Sequence, residues 1–286
     1  VPIDEHALAI DAIARISDVA EEHLDLRAIG EITGGVGKTP NRKSTEQGYG
    51  EPIFGTARQK TDPAPRGPRI GIIRDSVFQF YYPENIEALQ KAGAETLMIS
   101  PFATDVIPQV DALYIGGGFP ETHAKELANN ATFRRQLKDL AEKGLPIYAE
   151  CGGLMYLGEE LVLNEGTFPM AGVLPVVFGF SKKPQGHGYT VVSVEHENPY
   201  YKIGSEIKGH EFHYSKVLKW RGTDRDLTFG MKRGSGFLNK RDGVCYKNVL
   251  ATYTHIHALG TTSWAGALVR NAMAYKNDRS VFKVQD

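Results

Sequence analysis

Cysteine and long apolar runs are both scarce in this sequence. Its 286 residues contain only two cysteines, Cys151 and Cys245, in different local contexts, which is not the pattern of a disulfide framework. No segment approaches the roughly 20 apolar residues needed to span a bilayer, and the first residues lack the basic and then apolar pattern of a signal peptide. Together these features predict a protein of the reducing cytoplasm.

A dominant charge of either sign is absent as well. Lysine and arginine number 33 and aspartate and glutamate 34, which gives a formal net charge of −1. The sequence therefore offers no electrostatic reason to expect a nucleic acid or an anionic membrane as partner. A hydrophobic fraction of 41% and a charged fraction of 23% are ordinary for a globular protein long enough to form one large domain with an appendage.

The beginning of the chain differs in character from the rest. Apolar residues at helical spacing predict an amphipathic helix over residues 5–23. Residues 31–68 are rich in Gly, Pro, Thr and Lys without apolar periodicity, which is typical of a flexible linker. The segment GGVGKT at 34–39 lacks the first glycine and the preceding strand of a phosphate loop, so we do not assign it that role. We expect a domain boundary near residue 67.

From residue 69 onward, predicted strands and helices alternate. Short apolar runs predict strands at 69–75, 96–100, 112–116 and 146–150, and amphipathic patterns predict helices at 83–93 and 131–144. Strands that alternate with helices of about ten residues pair in parallel, so we expect an α/β layered sheet. The later part is richer in strands, at 191–195, around 209–217 and at 249–255, and a final helix is predicted at 262–275.

The segment PIYAECGGLMYL, residues 146–157, carries the strongest chemical signal. A hydrophobic strand runs directly into Cys151, and two glycines and a helical pattern follow. This is the turn that exposes a nucleophile at the end of a strand. Gly152 and Gly153 allow a tight turn and a close approach of substrate, and the N-terminus of the following helix favours a thiolate. A buried structural cysteine is the alternative, and Cys245 has no such turn.

Two further segments can complete such a site. ALYIGGGFPE, residues 112–121, ends a strand in three glycines whose backbone N–H groups can face a developing oxyanion. ATYTHIHALG, residues 251–260, places His255 at the end of a strand, more than a hundred residues after Cys151. A cysteine and a distant histidine brought together by the fold are typical of a thiol nucleophile and its base.

Other polar residues are weaker candidates. Arg74 and Asp75 follow a predicted strand at its carboxyl end, where α/β sheets bind ligands. In the segment GHEFHYS, Glu211 and His213 share one face of a strand while His210 points away, so a two-histidine metal site is poorly arranged. For Glu211 and His213 a substrate-lining or structural role is favoured over metal binding.

Five segments occur in an order that resembles a known family. They are RDSVFQFYYPEN (74–85), GGGFPE (116–121), AECGGLMYL (149–157), GHEFHYS (209–215) and YTHIH (253–257). Together they resemble the glutaminase half of cobyrinic acid a,c-diamide synthases, a family that includes relatives acting on sirohydrochlorin-type tetrapyrroles. The resemblance covers about residues 69–275. It implies a class I, or triad, glutamine amidotransferase domain with a flavodoxin-like, mostly parallel sheet and helices on both faces.

The resemblance also implies roles for individual residues. Cys151 would attack the carboxamide of glutamine and form a thioester, and His255 would activate the thiol and later the hydrolytic water. Backbone N–H groups at Gly117, Gly118 and Gly152 would hold the oxyanion. The ammonia would then reach an acyl phosphate made from ATP and a side-chain carboxylate of a tetrapyrrole.

This sequence departs from the wider triad class at one position. Many members read His-x-Glu, whereas this chain reads His-Ile-His, with His257 in the third place. His257 is therefore a candidate for the third triad role or a supporting role. The departure also keeps open a catalytically quiet domain that docks an ATP-binding partner. A cobyric acid synthase-type amidotransferase and a thiol hydrolase unrelated to glutamine are further alternatives.

The same resemblance implies a division of the chain into three parts with different functions. Residues 1–30 would be the tail of an ATP-binding synthetase domain, 31–68 a linker and 69–279 the amidotransferase domain. ATP and Mg²⁺ are expected for the synthetase half, and no metal or organic cofactor for this domain. The implied partners are glutamine, a tetrapyrrole carboxylate that accepts the ammonia, and the synthetase domain.

Overall fold

The computed structural model describes residues 67–283 and, before them, residues 15, 17–19 and 22–25. Of these early residues, 15, 17–19 and 22–23 are helical and fall within the helix predicted at 5–23. The rest of that helix, the predicted linker up to residue 66 and the GGVGKT segment lie outside the described residues. The chain divides into two units, Val1–Ala64 and Pro65–Asp286, and every strand among the described residues lies in the second.

The described part of the second unit contains fourteen strands and five α-helices. The strands are β1 Arg69–Ile73, β2 Glu95–Ile99, β3 Ala112–Ile115, β4 Ile147–Glu150, β5 Glu160–Leu163, β6 Gly166–Pro169, β7 Val176–Phe180, β8 Gly186–Val194, β9 Glu206–His213, β10 Ser215–Trp220, β11 Leu227–Arg233, β12 Arg241–Tyr246, β13 Val249–Thr252 and β14 His255–Ile256. The helices are α1 Pro83–Lys91, α2 Ala124–Asn129, α3 Ala131–Glu142, α4 Gly152–Leu157 and α5 Ser263–Lys283. Among the described residues, no helix has both the length and the apolar character required to cross a membrane.

One half of the main sheet is parallel. Strands β2, β1, β3, β4 and β13 lie side by side in this order, and each neighbouring pair is parallel. This is the 2-1-3-4-5 order of flavodoxin-like sheets, with β13 as the fifth strand. The carboxyl ends of these strands meet at one edge, where Glu150 at the end of β4 pairs in register with Thr252 at the end of β13. Sheets of this kind bind their ligands at that edge.

The other half of the sheet is antiparallel. Strands β12, β11, β8, β9 and β14 follow β13 in this order and complete a sheet of ten strands. Strands β10, β7, β5 and β6 form a second sheet, and the chain passes from the first sheet to the second at Tyr214. The predicted α/β class and strand-rich later part are confirmed, whereas β5–β7, β11 and β12 were not predicted.

Apolar side chains cover both faces of the parallel half. Consecutive residues of a strand join opposite layers, as Tyr114 and Ile115 do on β3, because side chains alternate across a strand. On one face, Trp264 of α5 packs against Tyr114 and Tyr148, with ring centroids 5.1 and 5.5 Å apart. The sheet is therefore fixed between two layers, and its carboxyl edge is held in place from both sides.

Two helices end at signals visible in the sequence. Helix α1 begins at Pro83, where proline is tolerated, and is followed by Gly93 with a φ of 100°. Helix α3 is capped by the Asn130 side chain, which accepts a hydrogen bond from the Phe133 N–H (3.1 Å), and Gly144 follows with a φ of 83°. These short crossovers return the chain to the sheet in the parallel direction.

Candidate active site

Cys151 occupies the turn between β4 and α4. Its backbone has a φ of 47° and a ψ of −99°, a conformation that residues with a side chain rarely adopt and that costs on the order of 1–3 kcal/mol. The Cys151 N–H donates to the Thr252 carbonyl (2.8 Å), and the Cys151 carbonyl accepts from the Met155 N–H (3.0 Å). This strained turn presents a buried thiol at the carboxyl edge of the sheet.

Close backbone contacts require the glycines around this turn. A Cβ atom on Gly153 would lie 2.5 Å from the Ile115 carbonyl oxygen, and one on Gly152 would lie 2.8 Å from the Gly118 nitrogen. A Cβ atom on Gly118 would overlap the Val77 carbonyl oxygen. The turn and the glycine-rich loop after β3 therefore lie backbone against backbone, with no space for a side chain.

Strand β14 brings His255 to the thiol. It pairs antiparallel with β9, with His255 opposite His210. The buried imidazole of His255 forms a hydrogen bond with Cys151, and its Nδ1 atom lies 3.2 Å from Oε2 of Glu150. Glu150 also accepts a hydrogen bond from the Ile256 N–H (3.3 Å), so it holds both the ring and the strand end. Cys151, His255 and Glu150 thus form a continuous series of thiol, imidazole and carboxylate.

The charges of these three groups favour a protonated imidazole. Burial lowers the pKa of His255, but hydrogen bonds with Cys151 and Glu150, together with their negative charges, outweigh burial and raise the pKa to about 10. At neutral pH His255 is therefore positively charged.

Two buried polar side chains fix the segment that carries His255. Asp242 on β12 accepts hydrogen bonds from the Thr252 hydroxyl (2.6 Å) and from the backbone N–H groups of Tyr253 and Thr254 (3.0 and 3.1 Å). Asn85 on α1 donates to the backbone of β14 and accepts from the turn that follows it (3.0 and 2.7 Å). The base is thus positioned from both sides by residues that the sequence did not single out.

The glycine-rich loop and the turn at Cys151 offer one backbone N–H group each, at Gly118 and Gly152. Gly117 was one of the three expected donors, but its N–H donates to the Phe80 carbonyl (3.3 Å). A Cβ atom there would collide with the ring of His255, so Gly117 makes space for the base. Among the described residues, no hydrogen-bond acceptor is recorded for the N–H of Gly118 or of Gly152, and Gly152 begins α4, where no intrahelical acceptor exists.

Two cavities reach this group of residues. The larger, about 380 Å³, is lined by Gln79, Phe80, Tyr81, Tyr82, Glu150, His210, Phe212 and His255. In it the His210 ring stacks on His255 at a centroid distance of 4.9 Å. The second is a narrow cleft of about 20 Å³ that contains Cys151, which is space for about one water molecule. Phe80 and Phe212 line both cavities and are 43% and 44% exposed.

Three sequence candidates lie outside the cleft that contains the thiol. The Nε2 atom of His257 lies 3.6 Å from Oε2 of Glu84, and both side chains are partly exposed. Arg74 is exposed, and Asp75 accepts hydrogen bonds from backbone N–H groups two and three residues ahead (2.8 and 3.1 Å), which shapes the turn after β1. The structure therefore does not bring His257 to the third position beside His255, which Glu150 occupies.

Glu211 and His213 share a face of β9, as strand alternation predicts. Glu211 accepts hydrogen bonds from the backbone N–H groups of residues 235 and 236 (2.5 and 2.9 Å), and one of its oxygens lies 3.7 Å from Nε2 of His213. His213 also lines the cleft that contains Cys151. In the part of the chain that the structure describes, no group of three or more His, Cys, Asp or Glu side chains is arranged to hold a metal ion.

Glu150 is the member of this group that sequence reasoning missed. It ends the apolar strand β4 and is 2% exposed. A buried glutamate is almost always paired, because an isolated buried charge is costly. A carboxylate at the end of an apolar strand, directly before the candidate nucleophile, was therefore a usable signal.

Comparisons with known proteins show which families this chain is similar to. Residues 69–262 match the CobB/CobQ-like glutamine amidotransferase domain. The chain is 38% identical over 267 residues to the cobyrinate a,c-diamide synthase of Archaeoglobus fulgidus, which covers 93% of this chain and 55% of that protein. The chain thus spans about half the length of the curated relatives it matches.

Solved structures resemble the fold at low sequence identity. One is PurLQS from Thermotoga maritima, with a TM-score of 0.54, 16% identity and coverage of 73% of this chain and 99% of that chain. Another is described as a glutamine amidotransferase, with a TM-score of 0.50, 18% identity and coverage of 72% and 97%. These similarities confirm the predicted fold class and carry no information about the acceptor of the ammonia.

Proposed function

This chain belongs to the CobB/CobQ-like glutamine amidotransferase family, and from that premise we propose that it releases ammonia from glutamine through Cys151. The ammonia is used in an ATP-dependent amidation of tetrapyrrole carboxylates. The observation that carries the proposal is the continuous contact from Cys151 through His255 to Glu150 at a strained turn. A buried structural cysteine needs neither the strain nor a charged histidine beside it.

In the first half of the reaction, the Cys151 thiolate attacks the carboxamide carbon of glutamine. The N–H groups of Gly118 and Gly152 hold the negative charge that develops on the carboxamide oxygen, and each such donor is typically worth about 3 kcal/mol. Protonated His255 donates its proton to the amide nitrogen. The C–N bond breaks, ammonia leaves, and a glutamyl thioester remains on Cys151.

In the second half, water releases glutamate. His255 is now neutral and takes a proton from a water molecule, whose oxygen attacks the thioester carbonyl. The C–S bond breaks, which regenerates the Cys151 thiolate beside protonated His255. The new carboxyl group loses its proton to solvent, and throughout the cycle the charge of Glu150 stabilises the imidazolium and fixes its orientation.

In this proposal, the acceptor and the ATP chemistry belong to the half of the longer relatives that lies outside the region matched by this chain. The relatives named cobyrinate a,c-diamide synthase are about twice as long as the matched region. We assign ATP, Mg²⁺ and the tetrapyrrole carboxylate to that synthetase half. Residues 1–30 and 31–68 remain, in this proposal, the tail of such a domain and its linker, and 69–279 the amidotransferase domain.

The direct test is glutamate release from glutamine by the wild type, Cys151→Ala and Cys245→Ala. Cys245 is the matched control because it is the other free cysteine of the described residues and lies outside the cleft. We expect no release by Cys151→Ala and normal release by Cys245→Ala. Absence of release by folded wild-type protein, with or without a synthetase half, would contradict the proposal and favour a docking role.

The acceptor is tested by adding the ATP-binding half of a cobyrinate a,c-diamide synthase. Cobyrinate, ATP and Mg²⁺ should then yield an amidated product detectable by mass spectrometry, with glutamine as nitrogen donor. Cys151→Ala should lose the glutamine-dependent product and retain the product made from added ammonium. Glutamate release without amidation of cobyrinate would indicate another carboxylate acceptor, as in a cobyric acid synthase-type enzyme.

A further inference from the structure

Glu121 is a half-buried residue with no assigned role, and one of its carboxylate oxygens is shielded from solvent. It lies in the short 3₁₀ helix Pro120–His123, directly after the glycine-rich loop. Its Oε2 atom is shielded from solvent, and no hydrogen-bond partner for it exists among the described residues. Burial raises the pKa of Glu121 to about 7. An unsatisfied buried acceptor is destabilising, more so when it is charged, and is rare in native proteins.

The position of Glu121 connects it to the thiol. Glu121 and Cys151 line the same narrow cleft, together with Phe180, Tyr214 and Ser215. Of all the residues that line this cleft, Glu121 is the one carboxylate. The other ionisable side chains of the cleft, besides the thiol, are Tyr214 and His213, and Nε2 of His213 lies 3.7 Å from Oε2 of Glu211. Glu121 thus brings a carboxylate with one unpartnered oxygen to the space that a substrate of Cys151 must enter.

The chemistry of glutamine fits this pair of groups. Its carboxamide is the end that Cys151 attacks, and its α-carbon, two methylene groups away, carries an ammonium group. A buried carboxylate is stabilised by a positive partner, and a charge-assisted hydrogen bond of this kind is about twice as strong as a neutral one. The ammonium would supply the donor that Oε2 lacks.

We propose that Glu121 binds the α-ammonium group of glutamine and so selects α-amino amides over other carboxamides at Cys151. This inference rests on the proposed glutaminase function and names the group that recognises the far end of its substrate. Glu121 is a specificity-determining residue in this proposal, and the steps at the carboxamide do not involve it. The cleft must widen to admit glutamine, and the rings of Phe80 and Phe212 that line it are partly exposed.

The test compares glutamine with glutaramate, which has the same carboxamide and α-carboxylate but no amino group. The variants are Glu121→Gln and the matched control Glu165→Gln, an exposed glutamate that lines a neighbouring cavity with Glu121 but not the cleft. For Glu121→Gln we expect kcat/KM with glutamine to fall on the order of 30-fold or more, mainly through KM. Its kcat/KM with glutaramate should not fall, and Glu165→Gln should behave as wild type with both compounds.

An equal loss with both compounds would overturn the proposal, because it would mean that Glu121 only supports the cleft. Calorimetric binding of glutamine to Cys151→Ala, with and without Glu121→Gln, separates this proposal from the glutaminase function. If Cys151→Ala binds glutamine and the double variant does not, Glu121 recognises the ammonium even if the wild type does not turn over. If both bind glutamine equally, or neither binds it, the assignment of Glu121 is wrong.

Discussion

Replacing Glu150 with glutamine should lower the pKa of His255 and shift the pH profile of glutamine hydrolysis. Glu150→Gln keeps the size of the side chain and an oxygen that can accept hydrogen bonds, but removes the charge 3.2 Å from Nδ1 of His255. The charge that stabilises the imidazolium is lost, together with one of the two acceptor oxygens that now face His255 and the Ile256 N–H. Since the carboxylate raises the pKa of His255, its removal shifts that pKa downward.

The size of the shift follows from the burial of the pair. The side chains of His255 and Glu150 are 7% and 2% exposed, so solvent screens their interaction very little. A hydrogen bond to a charged group contributes about 1.5–3 kcal/mol, and about 1.4 kcal/mol corresponds to one pKa unit. The pKa of His255 should therefore fall by about one to two units.

The assay is the pH dependence of kcat/KM for glutamine. His255 must be protonated to supply the proton that ammonia takes with it, so activity is lost as pH rises through the pKa of His255. In Glu150→Gln this alkaline limb should move to lower pH by the same one to two units. The matched control is Glu84→Gln, which removes the exposed Glu84–His257 pair (3.6 Å) and should leave the limb in place. A lower rate in Glu150→Gln with an unmoved alkaline limb would refute the electrostatic role of Glu150.

Three further outcomes are expected. Gly117→Ala places a methyl group against the ring of His255, so kcat should fall about 100-fold. The thermal midpoint of unfolding, measured by circular dichroism, should change little. A normal kcat would contradict the predicted collision between the methyl group and the ring. Mild iodoacetamide should alkylate Cys151 before Cys245, because burial raises the pKa of the Cys245 thiol to about 11; peptide mass spectrometry showing Cys245 modified first would contradict this. Asp242→Asn turns an NH₂ group toward the donors that the carboxylate satisfies, so urea unfolding should show a loss of about 1–3 kcal/mol, and unchanged stability would exclude this support.

The parallel half of the fold was predictable because its signals are local. Each strand from β1 to β4 is a short apolar run, and α1 and α3 begin and end at residues whose backbone preferences are known from the sequence alone, such as Pro83 and Gly144. The order of the antiparallel strands was not predictable in the same way. The pairing of β8 with β11, for example, depends on contacts between residues 35 to 42 positions apart that no local pattern specifies.

The site was predicted in part for a similar reason. The turn at Cys151 is specified by adjacent residues, so it could be predicted from the sequence. Glu150 was missed because neighbouring residues of a straight strand point to opposite faces, whereas the φ of 47° at Cys151 breaks that alternation. His257 was favoured by a family pattern two residues after His255. Strand β14, however, is only two residues long, so His257 falls in the turn beyond it, near Glu84.

The way in which His255 reaches the thiol has a consequence for the order of folding. Strand β4, the turn at Cys151 and α4 are contiguous, and β4 pairs with β3, the strand that precedes it in the chain, although the Cys151 N–H also donates to Thr252 of β13. His255 arrives only when β13 pairs with β4 and β14 pairs with β9, contacts that close much longer loops and carry a larger entropic cost. We therefore expect a partly folded or truncated copy to hold Cys151 without its base, so that glutamine is not consumed until the whole domain has assembled.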